Sequence, residues 1–321
     1  MAVAGQHRSR PIVAVAAWLG AVAGTYPFDR EVLPWLESRA WLRHVVANWL
    51  VRFPLWFVLI GIAVAMPQDL DWRGWSLAAV FAVTFFAWCW GGLIWVSQKL
   101  GALRPAPERL RRIVAETSSR MGVSVRCVWL LRSAYSLAFA LPYTGELLFT
   151  ERLLERHPDE EISAICAHEL GHLKESKLIV VGRVLANLAW LMPWLFIKPA
   201  MHAFDPPGVV VFALVGLAMM IGNRWFVRHL EKRADLVAHS NEGETGAYAR
   251  ALARLYEDNL VPAVLPRRGR SHPDLYDRLL AMGVQPDFER PKPAQSNAAH
   301  VFVLLLVLGI LVALRAAQLH P

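Results

Sequence analysis

Six stretches of this chain are apolar enough to prefer a hydrocarbon environment, and that pattern constrains the fold more than any other feature. Val45 to Met66 and Trp75 to Val96 each approach the roughly 20 residues an α-helix needs to cross a bilayer. Leu178 to Ile197 and Gly208 to Phe226 form a second pair, separated by the Pro-rich segment Lys198 to Pro207, which reads as the turn of a helical hairpin. Ile12 to Tyr26 is shorter and follows Arg8 and Arg10. It fits an uncleaved first helix better than a signal peptide, although Ala21-Val22-Ala23 offers a cleavage-like site. Val301 to Leu314 fits a tilted or partial helix at the C-terminal end. A backbone in hydrocarbon must satisfy its own hydrogen bonds, so a mainly α, multi-span membrane protein is expected.

The composition agrees. Hydrophobic residues make up 55% of 321, high for a soluble chain, and the 14 Trp fit a residue type that gathers at bilayer interfaces. The net charge of +8 does not mark a nucleic-acid binder, because the Arg residues are scattered between apolar runs and form no reading motif. Cys89, Cys127 and Cys166 stand far apart with no CxxC pair, which removes a disulfide framework and a thiolate metal site. Cys166 reads as a small buried helix residue. Any metal must be held by His and carboxylates.

Most of the charge lies between the apolar runs. The expected organisation is an N-terminal membrane region of two or three spans over 1–97, a soluble piece over 98–177, a membrane hairpin over 178–226, a second soluble piece over 227–299 and an apolar helix over 300–321. Pro107 to Met121 has amphipathic helical spacing, and Val123 to Leu130 is strand-like. From Ser136 to Phe149, apolar residues alternate at Leu137, Phe139 and Leu141 and again at Leu147 and Phe149, around Tyr143-Thr144-Gly145, which predicts a β-hairpin. His157-Pro158-Asp159-Glu160-Glu161 then offers a Pro at a first helical position and acids in the first turn, where they complement the helix dipole.

The helix so begun carries His168-Glu169-Leu170-Gly171-His172. Two His four residues apart leave one face of a helix and can grip one Zn²⁺. Glu169 then sits beside the metal without binding it, placed to take a proton from the attacking water and hand it to the leaving amine. Gly171 leaves room for close approach of another segment. An HExxH pattern arises by accident in on the order of one such chain in a hundred, so the context must decide. A third ligand is required, and Glu231 in Glu231-Lys232-Arg233-Ala234-Asp235 is the best placed, at the start of the soluble helix after the membrane hairpin. Two His and one Glu leave a fourth position open, as catalytic zinc needs, while Asp235 on the same face can accept from a ligand imidazole. Taken alone, Glu231 and Asp235 would read as an exposed acidic pair. Within the next apolar run, Arg183 is expected to reach for the interface and Asn187 to bridge helices.

These residues resemble the HtpX and CAAX prenyl protease family of integral-membrane zinc peptidases. The matching elements are Ala138-Phe139-Ala140-Leu141-Pro142, His168-Glu169-Leu170-Gly171-His172, Glu231-Lys232-Arg233-Ala234-Asp235 and Ser271-His272-Pro273 with Arg278, over roughly Pro105 to Met282. The resemblance implies an α+β, zincin-like catalytic domain holding one Zn²⁺ per chain through His168, His172 and Glu231. It implies Glu169 as general base, Asp235 behind a ligand, and His272 and Arg278 stabilising the oxyanion or positioning substrate. Ala138, Phe139 and Ala140 would form an edge strand that receives a protein or peptide substrate as an added strand. Leu137 stands where the family often has Asn, which questions one substrate contact. The strand's alternation also fits a plain core strand, and His272 an ordinary loop His before a proline turn.

Lys99, Arg104, Arg109, Arg111 and Arg112 crowd the end of the Trp75 to Val96 run, and Arg224 and Arg228 flank the later hairpin, so the positive-inside rule places the catalytic part in the cytoplasm of a multi-pass protein in the lipid bilayer. Arg8 and Arg10 favour the opposite side if all three N-terminal runs span. The larger cluster decides. The expected activity is endopeptidase cleavage of membrane or misfolded proteins. The alternatives are processing of lipidated C-termini and a zinc-binding scaffold without proteolysis, against which Glu169 argues. A transporter would need paired broken helices in two halves, which are absent.

Overall fold

The computed structural model describes residues 20–31, 37–39, 41–42, 45, 53–264 and 273–292, excepting the side chains of 204–213. His272, the Val301 to Leu314 run and much of the Ile12 to Tyr26 run lie outside the described residues. The chain divides into two compact units, Met1–Leu50 and Val51–Pro321. In the first, 20–31 is helical, and Trp41 Nε1 donates to Asp29 at 2.8 Å.

The second unit is mostly helical with one small mixed sheet. It begins with α1 (Pro54–Ala65) and α2 (Trp72–Ala87), which continues through a wider turn at Trp88–Gly92 into α3 (Leu93–Lys99). Two helices among the described residues, Trp72–Lys99 and Lys177–Leu195, are long and apolar enough to cross a membrane. The described part of the Val45 to Met66 run is α1, whose 12 residues fall short of a span. Leu59, Phe81, Phe85, Val184 and Leu195 pack together on the inner sides of these helices, while Val83 and Leu178 stand exposed.

The sheet has the order β1-β2-β4-β3, built from β1 (Leu103–Pro105), β2 (Cys127–Leu131), β3 (Ala138–Leu141) and β4 (Glu146–Thr150). β3 and β4 form the expected antiparallel hairpin, with Ala138 opposite Phe149 and Leu141 opposite Glu146. Gly145 closes it at φ 72°, a conformation that suits glycine. β4 lies between β2 and β3 and is buried along its whole length, as a strand covered on both faces should be. Among the described residues, β3 is left at the edge.

α4 (Glu108–Met121) buries Leu110, Ile113, Val114, Thr117 and Met121 at helical spacing. After α5 (Glu151–Arg156) comes α6 (Asp159–Leu173), the central helix of the unit. Pro158 proves to be its N-cap rather than its first helical residue. With ψ at 163° it is still extended, and its carbonyl accepts the N–H of Ile162 at 3.0 Å. Asp159, Glu160 and Glu161 fill the first turn, and Asp159 also accepts from Arg109 at 2.7 Å.

α7 (Lys177–Leu195) and α8 (Ile197–Ser240) make the expected helical hairpin, and Asn223 Nδ2 donates to Asn187 Oδ1 across it at 3.0 Å. The turn is elsewhere than expected. The chain reverses at Phe196, and Lys198 to Pro207 is helical. Pro199 falls in the first turn of α8, where an N–H would lack a helical partner anyway, so it starts a helix instead of breaking one. α8 runs for 44 residues in all with no boundary after Phe226, and Glu231 and Asp235 ride on the same helix as the second apolar run.

α8 crosses α6 closely. A Cβ placed on Gly171 would meet Ala234 Cα and Val237 Cβ at 3.4 Å, which is ordinary contact with nothing to spare. Gly171→Ala should therefore be tolerated. Gly171→Leu should force the helices apart, destabilise the fold by about 1–3 kcal/mol in thermal or denaturant melts, and lower metal content by separating Glu231 from the α6 histidines. The last helices among the described residues are α9 (Ala247–Asp258) and α10 (Leu275–Ala281).

Candidate active site

His168 and His172 leave α6 toward α8, with ring centroids 5.0 Å apart and planes at 84°. Glu231 reaches them from α8, its Oε2 lying 3.4 Å from His168 Nε2 and 3.6 Å from His172 Nε2. One ligand atom from each of the three residues falls within 4.8 Å of the others, and all three residues are buried. That donor set, two imidazoles and one carboxylate converging on a point, fits a first-row dication with one position open.

The outer nitrogens are held by Asp235 together with groups that the sequence did not mark. His168 Nδ1 lies 2.7 Å from the Tyr248 hydroxyl of α9 and 3.1 Å from Asp235 Oδ1. Tyr248 donates to Asp235 at 2.8 Å, and Arg278 of α10 donates to Tyr248 at 3.0 Å. His172 Nδ1 lies 2.9 Å from Glu175 Oε1, and Arg183 of α7 donates to the other Glu175 oxygen at 3.1 Å. Carboxylates facing both Nδ1 atoms favour N–H there, which leaves Nε2 as the nitrogen of each ring available to a metal. Arg183 is thus not reaching for a lipid interface. A buried carboxylate holds it inside the protein.

The charge balance of the cavity is negative. Burial alone would draw both imidazoles down, but hydrogen bonds to Asp235 and Glu231 lift His168 above its ordinary value, and those to Glu175 and Glu231 push His172 up to about 10. A dication answers the same field. Burial alone would raise the Asp235 carboxyl, yet His168 and Arg278 hold it well below the usual carboxylate range. Burial pushes the Cys166 thiol up, in keeping with an inert core residue.

Beside the histidines lies a cavity of about 160 Å³, lined on one side by Ser136, Leu137 and Ala138 and on the other by Glu169. Residues that could hold a metal ion, an adjacent carboxylate and a strand edge therefore meet in one place. Residues 106–283 match peptidase family M48. The chain belongs to that family. It is similar to a protein named Protease HtpX in Pseudomonas aeruginosa, at 28% identity over 207 residues that cover 54% of this chain and 71% of the relative. Proteins of the same name in Acinetobacter baylyi and Hahella chejuensis are each 26% identical, covering 49% and 53% of this chain and 58% and 69% of theirs. No solved structure matches. This M48 chain is thus an HtpX-like peptidase by family.

In the peptidase, Ala138, His168, Glu169 and Arg278 line that cavity, and His172, Glu231 and Asp235 cluster around His168, while Phe139 and Ala140 are not among the lining residues. Arg278 is buried, with Nε and Nη2 donating to Asp235 at 2.9 and 2.6 Å, so most of its contact is with the carboxylate behind His168. Tyr248, Glu175 and Arg183 were the residues sequence reasoning missed as parts of the site. Glu175 had a signal, since it stands three residues after His172 near the end of the same helix. Arg183 had one as well, since a charge inside an apolar run usually faces protein, whereas Tyr248 had none, because only tertiary packing brings it in.

Proposed function

We propose that this chain is an integral-membrane zinc endopeptidase that hydrolyses peptide bonds in extended segments of membrane or misfolded proteins. The observation that carries this reading is the convergence of His168, His172 and Glu231 within 4.8 Å, with Glu169 lining the cavity beside them. A Zn²⁺ bound by these three residues would supply Lewis-acid polarisation of the scissile carbonyl and acidify water. Glu169 takes the proton of the attacking water and delivers it to the leaving amine. Asp235 and Glu175 hold the two imidazoles in the tautomer that ligates, and Tyr248, Arg278 and Arg183 hold those carboxylates. The family resemblance gives Arg278, and His272 outside the described residues, the part of stabilising the tetrahedral oxyanion or positioning the substrate. Ala138, Phe139 and Ala140 present the edge to which a substrate backbone adds, and Phe139 stands exposed on it.

Membrane residence is supported by the largely exposed apolar surface of Trp72–Lys99 and Lys177–Leu195, which water would not favour. The cluster Lys99, Arg104, Arg109, Arg111 and Arg112 favours a cytoplasmic catalytic part. Proteolysis is favoured over a metal-binding scaffold by Glu169, for which metal binding alone has no use.

The test is metal content and cleavage together. Protein purified in detergent should hold one zinc per chain and cleave an unfolded protein until a chelator is added. Glu231→Ala should lose most of both, and unchanged occupancy would remove Glu231 from the ligand set. Because hydrogen bonds to Glu175 and Glu231 raise His172 above its ordinary value, zinc uptake at pH 7 should release protons. The apparent affinity should rise about tenfold per pH unit for each proton displaced, and calorimetry in buffers of different ionisation enthalpy reads that number directly.

A further inference from the structure

The junction where β3 begins contains a contact that the catalytic reading does not use. Both backbone groups of Ser136 are taken by one side chain: its N–H donates to Asn259 Oδ1 at 2.9 Å, and Asn259 Nδ2 donates to its carbonyl at 2.8 Å. Ser136 is fully buried, and its hydroxyl donates to Asp258 at 3.1 Å. Asp258 also accepts from Arg156 at 3.3 Å and lies 3.2 Å from His157, whose other ring nitrogen is 2.9 Å from Glu161 in the first turn of α6. The end of α9, the start of β3 and the start of α6 are thereby tied into one knot.

The next residue turns the other way. Leu137 donates its N–H to Thr150 Oγ1 at 2.9 Å and accepts from the Thr150 N–H at 3.0 Å, so both of its groups face β4. The direction of backbone groups alternates along a strand. Phe139 and Leu141 therefore face β4 with Leu137, while Ala138 and Ala140 present their N–H and carbonyl to the open side, as Ser136 would if Asn259 were not there. The Asn259 amide occupies the place that a neighbouring strand's peptide group would take, and it lines the same cavity as His168 and Glu169.

We infer that Asn259 is an end-stop on the open edge of β3: it caps the pairing position at Ser136 and confines backbone recognition of substrate to Ala138 and Ala140. This rests on the strand-addition reading above and sharpens its substrate class. Two open positions on one edge grip an extended segment of about four residues, so a short exposed stretch, such as a frayed end or an opened loop, suffices. Beyond the stop the substrate must leave the sheet.

The experiment is a series of unstructured peptides lengthened one residue at a time from the cleaved bond in each direction, with KM and kcat measured for the zinc-loaded wild-type protein and for Asn259→Ala. Each pairing position engaged should lower KM by about tenfold, the effect of two hydrogen bonds of ordinary net strength. In the wild type, KM should level off once the peptide passes the Ala138 position on the Asn259 side. In Asn259→Ala the levelling length on that side alone should grow by two residues, whatever happens to KM as a whole. An unchanged levelling length in folded, zinc-loaded Asn259→Ala overturns the end-stop. So does a wild-type KM that keeps falling with extension past Ser136, a result that needs no variant. Ala138→Pro separates the underlying reading, since it removes an open-side N–H from an edge strand that tolerates proline. If it cleaves long peptides as well as the wild type does, strand addition itself fails.

Discussion

Glu169→Gln should lower kcat/KM for an unfolded protein or peptide substrate by about 10²–10⁴-fold while leaving zinc content and melting temperature unchanged. Glutamine matches glutamate in size and in its capacity to accept a hydrogen bond, so packing around this buried position is preserved. What disappears is a group able to hold a proton between the attacking water and the leaving amine. The loss corresponds to about 3–5 kcal/mol of transition-state stabilisation. The proposed ligand atoms come from His168, His172 and Glu231, with Glu169 outside that set, which is why metal occupancy should survive. Wild-type rates in Glu169→Gln would place the base elsewhere. Loss of zinc along with activity would make Glu169 a ligand.

Asp235→Ala should strike stability and metal affinity together. Asp235 is buried, accepts two hydrogen bonds from Arg278 and one from Tyr248, and lies beside the Nδ1 of His168. Its removal leaves the Arg278 guanidinium buried without its countercharge, a change that costs about 3–5 kcal/mol. It also loosens the His168 tautomer, which should weaken zinc binding by about 10–100-fold. The pH dependence has a definite sign. The folded carboxyl is held below its ordinary 3.8, so its contribution is present above that value and disappears as pH falls through the folded value. The melting-temperature gap between wild type and Asp235→Ala should be widest near neutrality and shrink in acid below about pH 4. A gap that widened in acid would assign the stabilisation to some other group.

The residues that carry chemistry were legible in the sequence where helical periodicity alone sets their geometry. His168 and His172 share a face because they are four apart, and Glu231 and Asp235 share one for the same reason. The hairpin was legible because alternation and Gly145 are local signals. The α8 path was not: Pro199 reads equally as a breaker or as a first-turn residue, and only the position of the reversal at Phe196 decides between them. Leu148, skipped by the alternating pattern, is buried because Ile94 and Leu103 pack against it on the other face of the sheet, neighbours that no local signal could name. Arg183 was assigned to the interface because its apolar neighbours say membrane. Its actual partner, Glu175, belongs to the segment after a different helix.

Beyond Pro206 and Pro207, which carry no N–H for the helical ladder, α8 is a beam resting on a fulcrum. The contact at Gly171 and Ala234 lies only about 5 Å along the axis from Glu231, whereas the start of this part at Gly208 is about 39 Å away. Arms in a ratio near one to nine reduce motion toward the short side. A sideways swing of about 2 Å at the Gly208 end moves Glu231 by only about 0.2 Å, close to the tolerance of a metal–ligand distance. Had the beam been pinned at Gly208 instead, the same angle would carry Glu231 about 2 Å away from the histidines. The placement of a single glycine thus limits how far a tilt of the apolar segment moves the third ligand.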